Sequence, residues 1–317
     1  MKTSTSDRLP LLVFIGTATT DTIALVEDYP GPDSRTVAED LVIAGGGPAA
    51  TAAVAAARTG ARTAFIGTVG TDSDGERIVA DLEAESVDVS AVTRSTSHPS
   101  GASIVVVART GSSRSIITRP GPPLDLTRNA AAHTLMSEAA WIHADHMGWP
   151  ALEGLKDTEG SFRLSVDGGN PIPGFSLNGV DLYVPTIEQL ARTFREKRSS
   201  DPEVLLHSAR NAGARTVVAT GGSHGSWGLG PDGTMVHVPA FASSIRSTLG
   251  AGDVFHGVLL ASLAAGHRLS DAMQDANEAA AKSCEALDGR SGIPRRTHPA
   301  VLLPGTASGQ PGGIRAG

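Results

Sequence analysis

From Leu126 onward, short β-prone runs alternate with longer helical patterns, and this alternation restricts the fold more than any other feature of the chain. Strands are expected near Trp141–His143, Phe162–Val166, Asp181–Val184 and Arg215–Ala219, with helical patterns between them. Strands joined through helices pair in parallel, and a parallel sheet needs helices on both faces. Leu11–Ala18 adds a further strand, apolar along its whole length as a doubly covered strand must be. The expected architecture is a three-layer, Rossmann-like α/β domain.

Some segments do not fit that sheet. Thr22–Glu27 and Val37–Ile43 alternate apolar and polar residues, which predicts half-exposed strands on either side of the Tyr29-Pro30-Gly31-Pro32-Asp33 turn. Ser103–Ala108 and Ser115–Thr118 read as a hairpin across Arg109–Arg114. A small β-sheet lid beside the main domain accounts for them, with one apolar face left to cover a ligand or meet a second subunit. Elsewhere, Gly45-Gly46-Gly47-Pro48 precedes an alanine-rich helix over Ala49–Arg58, and Thr63–Thr68 is a strand. Asp72 opens a helix to about Glu85. Trp227–Leu229 and Thr234–Val238 form a second hairpin. Helices are predicted from Gly250 to Ala265 and from Asp271 to Leu287, and the Gly/Ser/Pro-rich residues from Gly305 as a frayed tail.

Composition excludes several classes. The 317 residues carry a net charge of −7, which offers no global attraction to nucleic acid or anionic lipid. The single cysteine, Cys284, rules out a disulfide framework within the chain, and a cytoplasmic location is expected. No apolar run approaches the roughly 18 residues of a membrane span, and no secretory leader is evident at the N-terminus.

The chemistry concentrates in Thr248-Leu249-Gly250-Ala251-Gly252-Asp253. A glycine-rich turn runs straight into an apolar helix, whose first N–H groups are free to bind an anion. Gly250 and Gly252 let that backbone close on a phosphate. Asp253 stands in the first turn, where a carboxylate can take the proton of an acceptor hydroxyl. Taken alone, the same residues also describe an ordinary tight turn with an acidic helix start.

The motif resembles the C-terminal signature of the ribokinase/PfkB carbohydrate kinases, Asp-Thr-x-Gly-Ala-Gly-Asp, here Ser247-Thr248-Leu249-Gly250-Ala251-Gly252-Asp253. The family's N-terminal signature is similar to Gly46-Gly47 followed by Gly67-Thr68-Val69-Gly70-Thr71-Asp72-Ser73-Asp74-Gly75. The resemblance covers roughly residues 10–303. It implies one kinase domain over 1–303, with lid strands at about 20–44 and 101–119, and a flexible tail over 304–317. It implies ATP-dependent phosphorylation of a primary sugar hydroxyl, with magnesium, and a homodimer through the lid.

Asp253 would be the base, with Gly250, Ala251 and Gly252 as the anion hole. Asp21, Asp33, Gly46, Gly47, Thr51 and Arg114 would meet the sugar, and Thr220, Gly222, Gly225, Thr248 and Cys284 the nucleotide. The turn Tyr29–Ser34 and the strand Trp141–His143 are similar to ketohexokinases. Asp288–Pro294 is similar to the sulfofructose kinase ending, near adenine and a monovalent cation. A ketose or related furanose is therefore favoured.

The departures are specific. The family's magnesium-organising Asn-x-x-Glu stands here as Thr186-Ile187-Glu188-Gln189, leaving Glu188 and Gln189 as the magnesium candidates. Ser247 replaces an aspartate that helps hold potassium in ribokinases, so potassium activation is left open. The sugar-contacting asparagine is Thr51. The arginine that marks sulfonate binding falls at Met147, which argues against a sulfonated substrate.

Other readings are weaker. Gly45–Ala50 matches a dinucleotide fingerprint, but Pro48 lacks the N–H that would meet a pyrophosphate. No glycine is followed by lysine, so there is no Walker A loop. His143, Asp145 and His146 fit no common zinc spacing. A non-catalytic sugar or nucleotide sensor and a nucleoside kinase stay open, the latter against only twelve aromatic residues to stack a base.

Overall fold

A computed structural model describes residues 9–111, 113–155, 162–195 and 198–295, so the expected tail lies outside the described residues. In chain order the strands are β1 (Leu11–Ile15), β2 (Thr19–Val26), β3 (Asp40–Gly46), β4 (Arg62–Ile66), β5 (Thr68–Gly70), β6 (Thr93–Ser95), β7 (Gly101–Ala108) and β8 (Ser113–Arg119). They continue with β9 (Ala139–Ala144), β10 (Arg163–Gly168), β11 (Leu182–Pro185), β12 (Thr216–Thr220), β13 (Ser226–Leu229) and β14 (Met235–Val238). The helices are α1 (Pro48–Arg58), α2 (Ser73–Ala84), α3 (Ala130–Glu138), α4 (Gly148–Glu153), α5 (Ile187–Thr193), α6 (Pro202–Asn211), α7 (Ala251–Ala264) and α8 (Leu269–Ser283).

The main sheet runs β14-β13-β12-β11-β10-β9-β1-β4. It is parallel from β4 to β12, and the β13–β14 hairpin extends it antiparallel. The apolar run of β1 is explained by its two neighbours in depth. Leu12 and Phe14 pack into the layer of α1, α7 and α8, while Leu11, Val13 and Ile15 pack against α3.

The alanine richness of α1 also has a packing cause. Ala49 to Ala56 are all buried, and a Cβ at Gly257 would run into the Ala52 carbonyl, so α1 and α7 meet almost backbone to backbone. That close pairing sets their two N-termini, at Gly47-Pro48 and at Gly250–Gly252, beside the same cleft.

The lid is a separate sheet in the order β3-β2-β7-β8. Two expectations are corrected here. β2 starts earlier, at Thr19, and is less exposed than expected: Ile23 and Leu25 pack with Val105, Val107 and Leu287 beneath the lid, while Thr22 and Ala24 on the other face are half-buried. β3 begins at Asp40, leaving Val37 exposed outside it, and runs on through Gly45 and Gly46. α8 likewise stops at Ser283, short of Leu287.

The lid's outer face stays apolar. Ile43, Thr22, Ile104 and Ile117 form one cross-strand row, in which the three isoleucines are exposed. Among the described residues, no helix is long and apolar enough to cross a membrane.

Candidate active site

A cleft of about 660 Å³ opens where the parallel strands end, roofed by the lid. Its walls come from the residues following β1, β4, β9, β10, β11 and β12, and from the starts of α1 and α7. Ligand sites of open α/β sheets occupy this position.

Asp145 builds the floor. One of its carboxylate oxygens accepts from the Met147 and Gly148 N–H groups at 2.9 Å, and the other from Thr17 N–H at 2.7 Å and Ala49 N–H at 3.3 Å. A Cβ at Gly16 would overlap this carboxylate. Asp145 thus ties the ends of β1 and β9 to the start of α1. Four donors occupy it, which makes it a brace for the loops and explains why metal spacing is absent around it.

The start of α7 is built as the sequence implies. Gly250 adopts a left-handed conformation (φ 71°), and a Cβ there would lie 2.9 Å from Gly289 Cα. No side chain caps the helix, and nothing lies within 4 Å of where a Gly252 Cβ would stand. The Gly252 N–H therefore faces open cleft, while the Ala251 N–H leans back on the Thr248 carbonyl at 3.4 Å. Thr248 is held from the lid: Arg114 Nη1 donates to its Oγ1 at 2.6 Å.

Asp253 stands at the cleft surface in this first turn. Burial and the neighbouring Asp167 carboxylate push its pKa up to about 7, against the opposing pull of His256. Asp167, Asp253 and His256 each bring one polar atom within 4.8 Å of the others. This trio was not anticipated from the sequence. His256 Nδ1 lies 3.5 Å from Asp167 Oδ2. Burial opposes charge on both groups, yet the pair holds Asp167 at about 2 and raises His256. The raised His256 pKa favours a cationic imidazole beside the two carboxylates.

The sugar-side candidates converge. Asp21, Gly46, Gly47, Thr51 and Arg114 all line the cleft. Thr19 Oγ1 donates to Asp21 Oδ1 at 2.8 Å, and burial raises the Asp21 pKa. A Cβ at Gly46 would collide with the Asp21 carboxylate. Gly47 (φ 89°) lets the chain pass from β3 into α1. Asp33 stands apart, in an exposed loop with a left-handed backbone (φ 56°), and does not line the cleft.

Arg290 was overlooked and is central. It is buried, donating from Nε to Thr51 Oγ1 at 3.2 Å and from Nη2 to the Gly46 carbonyl at 2.9 Å. Burial lowers its pKa to about 10 despite the nearby Asp21. The Asp288–Pro294 segment thus braces α1 and β3. Asp288 accepts from the N–H groups of Arg290 and Ser291 and from the Ser291 hydroxyl.

The nucleotide and metal candidates divide. Thr220 and Thr248 line the cleft, whereas Gly222 and Gly225 shape the tight turn after β12 outside it. Cys284 is buried at the end of α8 and its thiol pKa is raised by burial; its carbonyl anchors Arg246 and Ser247 N–H. Glu188 is exposed and pairs with Arg192 at 2.6 Å, and the Gln189 N–H is taken by the Thr186 hydroxyl at 3.0 Å. Neither lines the cleft. Magnesium would therefore enter chiefly on the nucleotide's phosphates, and no chemical step is assigned to it. Ser247 Oγ accepts from Leu249 N–H at 3.1 Å, and no potassium role is assigned to it.

Comparison with known proteins agrees with this geometry. The sequence matches the description "pfkB family carbohydrate kinase" over residues 9–146 and 176–296. It is 27% identical to the ketohexokinase of Mus musculus over 296 residues, 89% of this chain and 98% of that protein. The fold superposes on the ribokinase of Thermotoga maritima with a TM-score of 0.77 at 24% identity, covering 91% of this chain and 97% of the other. It also superposes on the Arabidopsis thaliana ribokinase complexed with ribose and ATP, with a TM-score of 0.73 at 20% identity, covering 90% and 96%.

Proposed function

The chain belongs to the pfkB family of carbohydrate kinases, and from that premise we propose that it transfers the γ-phosphoryl group of ATP to a primary hydroxyl of a ketose or related furanose. The observation that carries this reading is the pairing of an uncapped, glycine-lined helix N-terminus with Asp253 in one cleft.

In the proposed reaction the sugar hydroxyl loses its proton to the Asp253 carboxylate. Its oxygen forms the new bond to the γ-phosphorus, and the bond from that phosphorus to the bridging oxygen breaks, releasing ADP. The N–H groups at Gly250, Ala251 and Gly252 bear on the charge of the moving phosphoryl. Arg114 adds a positive charge from the lid. Magnesium, when bound with ATP, would offset the charge of the phosphates.

The lining favours a small polyol. Thr17, Thr19, Asp21, Thr51, Ser103 and Thr118 all face the cleft, and among the described residues no Phe, Tyr or Trp lines it to stack a nucleobase. The apolar outer row of the lid supports a homodimer through that sheet.

The test is ADP release with Mg-ATP against ketoses, aldoses, sugar acids and nucleosides, run beside Asp253→Asn. Turnover of a ketose that the variant abolishes is the expected result. Sugar binding by calorimetry with no turnover, or full turnover by the variant, would overturn it.

A further inference from the structure

We propose that Asp167 and His256 form a buried ion pair that acts as a positioning unit for Asp253, keeping the base ionisable beside a second carboxylate. This rests on the reading of Asp253 as the base.

The geometry comes from two elements. α7 places His256 three residues after Asp253, on the same helix face. β10 delivers Asp167 from its C-terminal end. Two carboxylates this close do not ionise together unless a cation stands with them. His256 is 6% exposed and Asp167 4%, so solvent does little to separate their charges.

His256 Nδ1 has no hydrogen-bond partner, yet it faces Asp167 Oδ2 at 3.5 Å. A bare Nδ1 there would set a lone pair against an anion, so Nδ1 carries a proton, and a doubly protonated ring serves both Asp167 and the Val184 carbonyl. The Val184 carbonyl also favours the proton on His256. Behind it the His143 ring lies 5.5 Å away, with its Nδ1 2.9 Å from Ser165 Oγ. Burial first, and His256 second, keep His143 neutral, with its pKa down to about 3. In the proposed pair the charge sits on His256, with a neutral His143 behind it.

The other charges facing Asp253 are Asp145 and Arg114, with Arg290 also within electrostatic reach. Arg114 belongs to the lid, whereas Asp167 and His256 belong to the body of the domain. The pair is thus the part of the electrostatic setting that stays fixed when the lid moves.

The test is the pH profile of kcat. His256→Gln removes the cation but leaves Asp167, so the acid limb moves up by about one pH unit and kcat at pH 7 falls about fivefold. Asp167→Asn removes an anion and also releases the proton on His256, so its two effects oppose and the limb moves less. The double variant carries a neutral pair, and its limb returns toward wild type. A merely structural role would leave the limb in place and make the double variant worse than either single one.

Asp253→Asn separates the two claims. If it is inactive while His256→Gln shifts the limb by less than about 0.3 unit, the pair is overturned and the base reading stands. If Asp253→Asn stays active, the base reading itself falls. Should His256→Gln not fold, nitrogen-15 NMR of the wild-type imidazole decides without turnover. A doubly protonated His256 at pH 7 is expected, and a neutral tautomer overturns the pair.

Discussion

Gly250 and Gly252 lie two residues apart, and alanine at the two positions is expected to fail in opposite ways. At Gly250 the backbone is left-handed, with φ at 71°. A side chain there costs about 1–2 kcal/mol from conformation alone. Its Cβ would also press on Gly289 Cα at 2.9 Å, in the segment that carries Arg290. At about 2–4 °C per kcal/mol, the Gly250→Ala melting temperature should fall by roughly 2–8 °C.

At Gly252 the residue is helical and nothing lies within 4 Å of the added methyl. Alanine in place of glycine there stabilises by up to about 1 kcal/mol. The melting temperature should hold or rise. The methyl, however, enters the cleft above the free N–H groups, where the transferring phosphoryl must sit. Losing one such donor contact typically costs about 10²–10³ in kcat. The assay is differential scanning fluorimetry beside ADP release, on both variants and wild type. Gly252→Ala with kcat within about threefold of wild type would refute the assignment of this helix start as the phosphoryl site.

The other expectations follow from burial and charge. Because burial raises Asp253 to about 7, kcat should rise about tenfold from pH 6 to pH 8, and a flat profile would argue against a titrating base. A carboxyl whose folded pKa is raised costs stability from its unfolded pKa, about 4, upward, and the cost is complete once pH passes about 7. Asp253→Asn should therefore raise the melting temperature at pH 8 and leave it near wild type at about pH 3, where both states are largely protonated. Arg290→Met removes two buried charge-assisted hydrogen bonds, to the Gly46 carbonyl and the Thr51 hydroxyl, and urea unfolding should show a loss of about 3–6 kcal/mol. Arg114→Ala cuts the lid's bond to Thr248 and should lower kcat/KM without moving the melting temperature, since Arg114 is exposed. If the lid is the subunit interface, Ile117→Glu should sediment as a monomer where wild type sediments as a dimer.

What could be read in advance follows from the range of each interaction along the chain. The alternation after Leu126 foretold the parallel sheet because strand and helix periods are local. The start of α7 was legible because anion binding there depends on consecutive glycines and N–H groups. The extent of burial in β2 was not legible: its alternation was real, with Ile23 and Leu25 inward and Thr22 and Ala24 outward, but its neighbours β3 and β7 leave the outward residues half-buried.

The missed site residues share one property, that each takes its role from a partner far along the chain. Arg290 meets Thr51 across 239 residues, Asp145 meets Thr17 across 128, and Asp167 stands in another element from His256. A signal was present in the last case, since Asp253 and His256 are spaced to share a helix face, but Asp167 had no motif to join it to them. Asp33 shows the converse. Its turn matched a local pattern, yet the loop leaves it exposed and outside the cleft of this chain. A motif locates backbone chemistry well when the ligand is held by neighbouring N–H groups, and poorly when a charge must be balanced by a side chain that only the fold brings near.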